Sequence, residues 1–294
     1  MNHSIELLRF ISVLLIILTH TKHNITEGMF YVLFEVFPTY GTAVLSIISG
    51  YLYLEYSSKK NNLLYKKIQT LLIPYIISNI SIIIVAYLFN FFGYDFLNRL
   101  SFDLNLIIDG LFALNSEPIN PPTYFIRDIF LLFCVISLFK KNYLSLIFIA
   151  PYIFFGTLFL RMDVILLFII GSIISYYKDT IIFNKKVLIF VLLCFCMLLI
   201  IMRDFYIFKF IFSILIFISL FNVSIKFINI GGMSYLLHLY HAPIIVISYP
   251  ILSLYFFNNV ILVLLQFFIS LIILHIIYKI LKYYNFNIIL GNRE

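Results

Sequence analysis

Residues 5–22 read IELLRFISVLLIILTHTK, an apolar run in which few charged side chains occur. A helix needs about 20 mostly apolar residues to cross the hydrocarbon core of a bilayer. Similar runs recur along the chain, and they are too long and too continuous to be the strands of a membrane barrel. The sequence therefore predicts an all-α protein, a polytopic transmembrane helical bundle.

The composition favours the same fold class. Of the 294 residues, 63% are hydrophobic and 11% are charged, and the mean hydropathy is +1.09. Soluble globular proteins are about 45–50% apolar and about 25% charged, and one water-soluble core cannot hide this excess. The net charge of +7 lies in short loops between the apolar runs. We therefore expect it to orient the chain in lipid, and we expect no nucleic-acid partner.

The apolar runs indicate about ten spans, within a range of eight to eleven. The loop at about 93–122 is expected to face outward and to form a short interfacial helix. Lysine and arginine concentrate in alternate loops, which places those loops and both termini in the cytoplasm. No cleavable signal is expected, and residues 1–294 are expected to form one integral-membrane domain. The predicted spans are 5–22, 30–56, 68–92, 123–139, 143–160, 162–177, 187–202, 205–222, 232–256 and 258–282.

Arg9 and His20 are ionisable residues inside the first span, where burial in lipid is costly. Arg9 and His20 have ten residues between them, so a helix returns them to within roughly 20° of one face, with a rise of about 16 Å. One interpretation is functional: Arg9 binds an anionic or carbonyl group while His20 moves a proton. The alternative is structural, with Arg9 reaching the headgroups or pairing with Glu6, and His20 satisfied between helices.

Further polar groups lie near the ends of other spans. Arg127 and Asp128 are either an interfacial ion pair or a contact to an acceptor sugar. His238 and His241 are neighbours on one helix face. No third ligand accompanies them, so no metal site is expected. We interpret His241 as a polar group lining a passage, and His238 as a packing residue.

For some residues we prefer a structural interpretation to a functional one. Lys66 and Lys67 are expected to anchor the topology. The pair Ser49-Gly50 is expected to permit close helix approach. His275, alone in the last span, is expected to be a satisfied core histidine. The three cysteines lie inside apolar runs and indicate neither a zinc nor a redox site.

Five segments, in this order along the chain, resemble the acyltransferase 3 family of bacterial membrane proteins that acylate sugars and lipids. The first contains the family pattern of an arginine, ten residues and a histidine. The segments are LRFISVLLIILTH (8–20), GTAVLSIISGYL (41–52), KKIQTLLIPY (66–75), YFIRDI (124–129) and SYLLHLYHAP (234–243). Two positions depart from the family pattern, since Tyr124 replaces the usual tryptophan and His238 replaces the usual tyrosine.

The resemblance implies a ten-helix O-acyltransferase of the bacterial inner membrane, without a metal. Its donor would be an acyl-CoA, usually acetyl-CoA, on the cytoplasmic side, and its catalytic pair would be Arg9 and His20. Our hypothesis places Arg9 at the entry of the CoA chain, with Lys66 and Lys67 as further cations for CoA phosphates. His20 would deprotonate the acceptor hydroxyl or carry the acyl group briefly.

The implied acceptor is a surface polysaccharide or glycolipid precursor, and glycan-assembly proteins are expected neighbours. Arg127, Asp128 and His241 are the candidate acceptor-binding residues. The alternative function is a polysaccharide exporter that lacks acyl chemistry. A purely structural membrane subunit would leave Arg9 and His20 unexplained.

Overall fold

The computed structural model describes residues 3–59, 61–93, 102–114, 117–138, 161–179, 206–221, 226–227 and 230–293. Within these ranges every regular element is a helix and no strand occurs. The prediction of an all-α chain is confirmed for them. The predicted spans at 143–160 and 187–202 lie outside the described residues.

The helices follow the apolar runs closely. Helix α2 contains two π turns and one 3-10 turn, α3 contains one π turn, and a 3-10 turn at Pro121–Thr123 leads into α5. The helices are α1 His3–Thr19, α2 Gly28–Ser57, α3 Leu63–Phe91, α4 Leu104–Phe112, α5 Tyr124–Leu138, α6 Met162–Tyr176, α7 Tyr206–Leu220, α8 Gly231–Tyr255 and α9 Asn259–Tyr283.

Five of the described helices are long and apolar enough to cross a membrane: α2, α3, α5 with its leading turn, α8 and α9. Helix α6 and most of α7 are shorter apolar helices, and α1 has 17 residues. The count of ten spans and the cytoplasmic position of the termini stay predictions. Helix α4 lies in the stretch that the sequence assigned to the outward loop.

Glycines bring α2 into contact with its neighbours. A β-carbon at Gly50 would overlap the backbone of Phe168 in α6, and one at Gly171 would overlap the backbone of Ile47 in α2. The Ser172 hydroxyl donates a 3.1 Å hydrogen bond to the Gly50 carbonyl across this contact. The expectation that Gly50 permits close helix approach is therefore confirmed.

A glycine also permits the close contact between α2 and α1. A β-carbon at Gly41 would press against the Ser12 carbonyl of α1, and Ile17 and Ile47 are both 0% exposed. The glycine contacts fix the position of α1 in the bundle, and with it the direction in which its polar side chains point.

A buried hydrogen bond connects the turn before α5 to the part of α8 that contains Pro243. Pro243 has no backbone N–H and therefore leaves the carbonyl of Leu239, four residues earlier, without its helical donor. The side-chain amide of Asn120 donates a 2.6 Å hydrogen bond to that carbonyl. The backbone N–H of Asn120 in turn donates to Asn79 of α3 at 3.2 Å. Three helices are thus connected beside the start of α5.

Candidate active site

Arg9 points into the bundle. Its guanidinium donates a 2.6 Å hydrogen bond to Glu6 one turn earlier, and its side chain is 17% exposed. It lines a cavity of about 120 Å³, which we call the Arg9 cavity. The pairing with Glu6 is the one expected of the structural alternative, but the side chain also faces an interior space. The polar residues that line this cavity are Arg9, Ser49, Tyr53, Ser57, Lys67, Ser234, Tyr235, His238 and Arg293.

His20 lies one residue beyond the end of α1 and lines a second cavity of about 220 Å³, the His20 cavity. The turn Pro121–Thr123 and the start of α5 contribute Pro121, Pro122 and Tyr124 to its wall. The remaining polar residues that line it are Thr19, Thr39, Thr42, Glu117, Arg161, Lys209 and His238. Arg9 and His20, which lie near opposite ends of the first predicted span, therefore line two different spaces.

Phe125 and His238 line both cavities. Their rings meet edge to face, with centroids 5.7 Å apart, and this geometry is the one that aromatic rings prefer. The pair forms the partition between the Arg9 cavity and the His20 cavity. The sequence assigned His238 to packing, whereas the structure places it against both spaces.

His20 also contacts a second histidine behind the cavity wall. Its ring centroid lies 5.1 Å from that of His241, which is fully buried. The Nδ1 atom of His241 lies 2.7 Å from the Leu237 carbonyl. A carbonyl only accepts, so this contact assigns the proton to Nδ1 and leaves Nε2 as an acceptor. Within the described residues that Nε2 has no hydrogen-bond donor.

His238 is equally short of hydrogen bonds. The Pro122 carbonyl lies near its ring, but neither ring nitrogen makes a hydrogen bond of normal geometry to a described residue. Its ring centroid is 6.5 Å from that of His241. A buried imidazole with unused donor and acceptor capacity is costly, and both cavities that it faces can hold a polar ligand.

The predicted cation pair at the start of α3 separates. Lys67 lines the Arg9 cavity, with its ammonium 4.0 Å from the ring centre of Phe133, a cation–π contact. Lys66 is exposed and is not among the described residues that line the cavity. Of the two lysines expected to meet an anionic donor, the geometry favours Lys67.

Arg127 and Asp128 form a buried structural junction. The guanidinium donates to Asp128 at 2.9 Å and to the Phe112 carbonyl of α4 at 3.2 Å. The other carboxylate oxygen accepts the backbone N–H of Arg161 at 2.9 Å. Neither residue is among those that line the two cavities, and Asp128 is fully buried rather than solvated. Asp128 is linked to the His20 cavity through Arg161, which lines that cavity.

His241, like Arg127 and Asp128, lies outside the walls of the two cavities. It is not among the described residues that line either cavity. The sequence predicted a passage-lining group, and the structure places the side chain behind His20. His275 also differs from its expectation: it is exposed and lines an open apolar groove to which α1, α8 and α9 contribute.

Several charged residues that line the two cavities were not predicted as site residues from the sequence. Lys209 lies within the apolar helix α7 and contacts Asp163 at 3.3 Å, and Arg161 contacts the same carboxylate at 3.7 Å. A lysine inside an apolar run is itself a signal of function. Arg293 lines the Arg9 cavity from beyond α9, and no local pattern indicated it.

Comparison with known proteins gives one family. The family model for the acyltransferase domain, Acyl_transf_3, matches residues 2–279. No curated protein and no solved structure matches the chain. In the described residues, no group of three or more His, Cys, Asp or Glu side chains is placed to hold a metal ion.

Proposed function

This chain belongs to the acyltransferase 3 family, and from that premise we propose that it moves an acetyl group from acetyl-CoA to a hydroxyl of a surface polysaccharide or glycolipid precursor. The observation that carries the proposal is the partition. Arg9 and His20 line two cavities whose common wall consists of Phe125 and His238. A donor and an acceptor that approach from opposite ends of the bundle would meet at this wall.

The Arg9 cavity suits the donor. By the positive-inside rule the end of α1 that carries Arg9 faces the cytoplasm, where acyl-CoA is made. Arg9 and Lys67 give this cavity cationic groups that recognise phosphate or polarise a carbonyl. The acetyl end of the donor would lie deepest, against Phe125 and His238.

The His20 cavity suits the acceptor. It combines the imidazoles of His20 and His238 with hydroxyl, carboxylate and guanidinium groups, which recognise the hydroxyls of a sugar. Arg127 and Asp128 would act here indirectly, because Asp128 holds the backbone of Arg161 at this wall. His241 would support His20 from behind.

The reaction needs one base and one leaving group. His20 accepts the proton of the acceptor hydroxyl as the oxygen attacks the thioester carbonyl. The tetrahedral intermediate collapses, the carbon–sulfur bond breaks, and the CoA thiolate takes the proton from the His20 imidazolium to leave as the thiol. The products are the acetyl ester and CoA, and no metal takes part.

A second order of steps uses the same atoms. His20 first attacks the thioester and becomes acetyl-imidazole as the CoA thiolate leaves with the proton of the ring. The acceptor hydroxyl then attacks that carbonyl, the carbon–nitrogen bond breaks, and the hydroxyl proton passes to the released imidazole. Either order requires the thioester carbonyl to be reached from the His20 cavity across the partition. The protein would act in the bacterial inner membrane, as a multi-pass enzyme beside the machinery that assembles the glycan.

The exporter alternative requires a passage wide enough for a sugar chain. Between the Arg9 cavity and the His20 cavity, two buried side chains occupy that path, and the cavities measure about 120 Å³ and about 220 Å³. A short transfer across one wall fits these dimensions better than the movement of a polymer.

The test uses membranes that contain the full chain, labelled acetyl-CoA and the glycan fraction of the source cell. The wild type should place label in glycan that alkali releases as acetate, and His20→Ala should lower this by about a hundredfold or more. His275→Ala is the matched control, because that histidine is exposed in the open apolar groove and is not among the described residues that line either cavity, and it should keep full activity. Full activity in His20→Ala, or glycan export without any acetyl transfer in the wild type, would overturn the proposal.

A further inference from the structure

The segment that follows α9 folds back over the bundle. Leu290 is 0% exposed, and the backbone N–H of Asn292 donates a 2.8 Å hydrogen bond to the Asn287 carbonyl. Gly291 has a φ of +66°, and a β-carbon there would lie 2.8 Å from the Tyr235 ring. Both the backbone conformation and the close contact favour glycine. This turn is therefore a defined part of the structure.

The turn directs Arg293 into the Arg9 cavity. Its guanidinium carbon lies 3.9 Å from the centre of the Tyr235 ring, within the range of a cation–π contact. Both Tyr235 and Arg293 line the cavity. The aromatic face holds the guanidinium plane while leaving its N–H groups free to bind a ligand.

The charge balance of the cavity indicates an anionic ligand. Three cations line it, namely Arg9, Lys67 and Arg293, and no carboxylate is among its described lining residues. Glu6 is bonded to Arg9 and offsets its charge. Burial lowers the pKa of Arg293 to about 10, so this group stays charged at neutral pH. Like charges gathered in a partly buried space repel one another unless an anion joins them.

We propose that Arg293 is a donor-binding residue whose guanidinium, held on the Tyr235 ring, binds a phosphate of acyl-CoA together with Arg9 and Lys67. This inference rests on the proposed function and adds to it a contact from the segment beyond α9. The guanidinium fork matches two phosphate oxygens at once, which a lysine ammonium cannot do. The phosphates would lie at the cavity mouth, and the pantetheine arm would extend toward Phe125 and His238.

The test compares two donors that differ in their phosphates. Acetyl-CoA carries them, and acetyl-pantetheine carries the same thioester without any phosphate. Arg293→Ala in the full-length protein should raise the KM for acetyl-CoA about tenfold and leave the KM for acetyl-pantetheine unchanged. Arg293→Lys should recover part of the loss, and Gly291→Ala should reproduce it by displacing the turn. Lys279→Ala, an exposed cation on α9, is the matched control and should behave as the wild type.

Direct binding of acetyl-CoA to purified protein, measured without an acceptor, separates the two proposals. If the wild type binds acetyl-CoA and Arg293→Ala binds it equally well, the inference is wrong and the proposed function stands. If the wild type binds no acetyl-CoA, the proposed function itself is wrong. An equal rise in KM for both donors would assign Arg293 a purely structural role and would also overturn the inference.

Discussion

The imidazole of His241 lies directly behind that of His20, with the ring centroids 5.1 Å apart and the ring planes inclined by 54°. His241 belongs to the middle of α8, and its Nδ1 atom is held by the Leu237 carbonyl at 2.7 Å. It cannot turn freely, because it is completely buried. A fixed ring therefore supports the side chain that we propose as the base.

Replacement of His241 should slow transfer without weakening donor binding. His241→Ala removes the support of His20 and leaves the Arg9 cavity intact, so kcat should fall about a hundredfold while the KM for acetyl-CoA stays within twofold. Steady-state kinetics in detergent or nanodiscs would measure both constants. An increase in KM with an unchanged kcat would contradict the assignment and would favour a direct contact to substrate.

The hydrogen bond from Asn120 to Leu239 should stabilise the fold only because Pro243 is present. Asn120→Ala leaves the buried Leu239 carbonyl unpaired, and we expect a loss of about 1–3 kcal/mol in the free energy of unfolding. Thermal or denaturant unfolding of the solubilised protein would measure it.

A double-mutant cycle separates this effect from simple loss of packing. Pro243→Ala restores a backbone N–H that can bond the Leu239 carbonyl. In that background Asn120→Ala should cost clearly less than it does alone. Equal costs in both backgrounds would mean that the proline and the asparagine are not coupled.

Local patterns were enough for part of this architecture. The apolar runs predicted the described helices, because a bilayer imposes length and composition on each span separately. Gly50 was predicted to permit close approach, since a missing side chain is visible in the sequence, but its partner in α6 was not. The single helix face predicted for Arg9 and His20 stays a prediction, because His20 lies one residue beyond the end of α1 and lines a different cavity.

The rest depends on contacts between distant segments. Lys66 and Lys67 are adjacent, and only the rotation of α3 against the bundle decides which of them reaches the Arg9 cavity. The partition pairs Phe125 of α5 with His238 of α8, and Arg293 reaches its cavity through a turn against Tyr235. Such contacts depend on how distant segments pack against one another. The hydrophobic periodicity within a single apolar run carries no information about that packing. Lys209 is different, because a lysine within an apolar helix was visible in the sequence.

Gln266 should hold the segment next to His20 in place. This fully buried side chain of α9 accepts the Lys22 backbone N–H at 2.8 Å and donates to the Lys22 carbonyl at 2.9 Å. Gln266→Leu removes both bonds and leaves two backbone groups unpaired, so we expect transfer to fall about tenfold and the unfolding temperature to drop. Gln69→Leu is the control, because Gln69 bonds only to Tyr65 of its own helix among the described residues. Similar losses in both variants would argue against a specific role for Gln266.

The partition should keep water away from the donor. The ring of Phe125 packs edge to face against His238 and separates the two cavities. Phe125→Leu shortens this wall without emptying it, so water from the His20 cavity should reach the bound thioester more easily. We expect hydrolysis of acetyl-CoA in the absence of acceptor to rise at least severalfold, measured as release of free thiol.

Phe133→Leu is the control for this prediction. Phe133 lines the Arg9 cavity and is not among the residues that line the His20 cavity, so the variant should leave hydrolysis at the wild-type rate. If both variants hydrolyse acetyl-CoA equally, the increase reflects a loosened donor cavity, and Phe125 has no special role as a barrier.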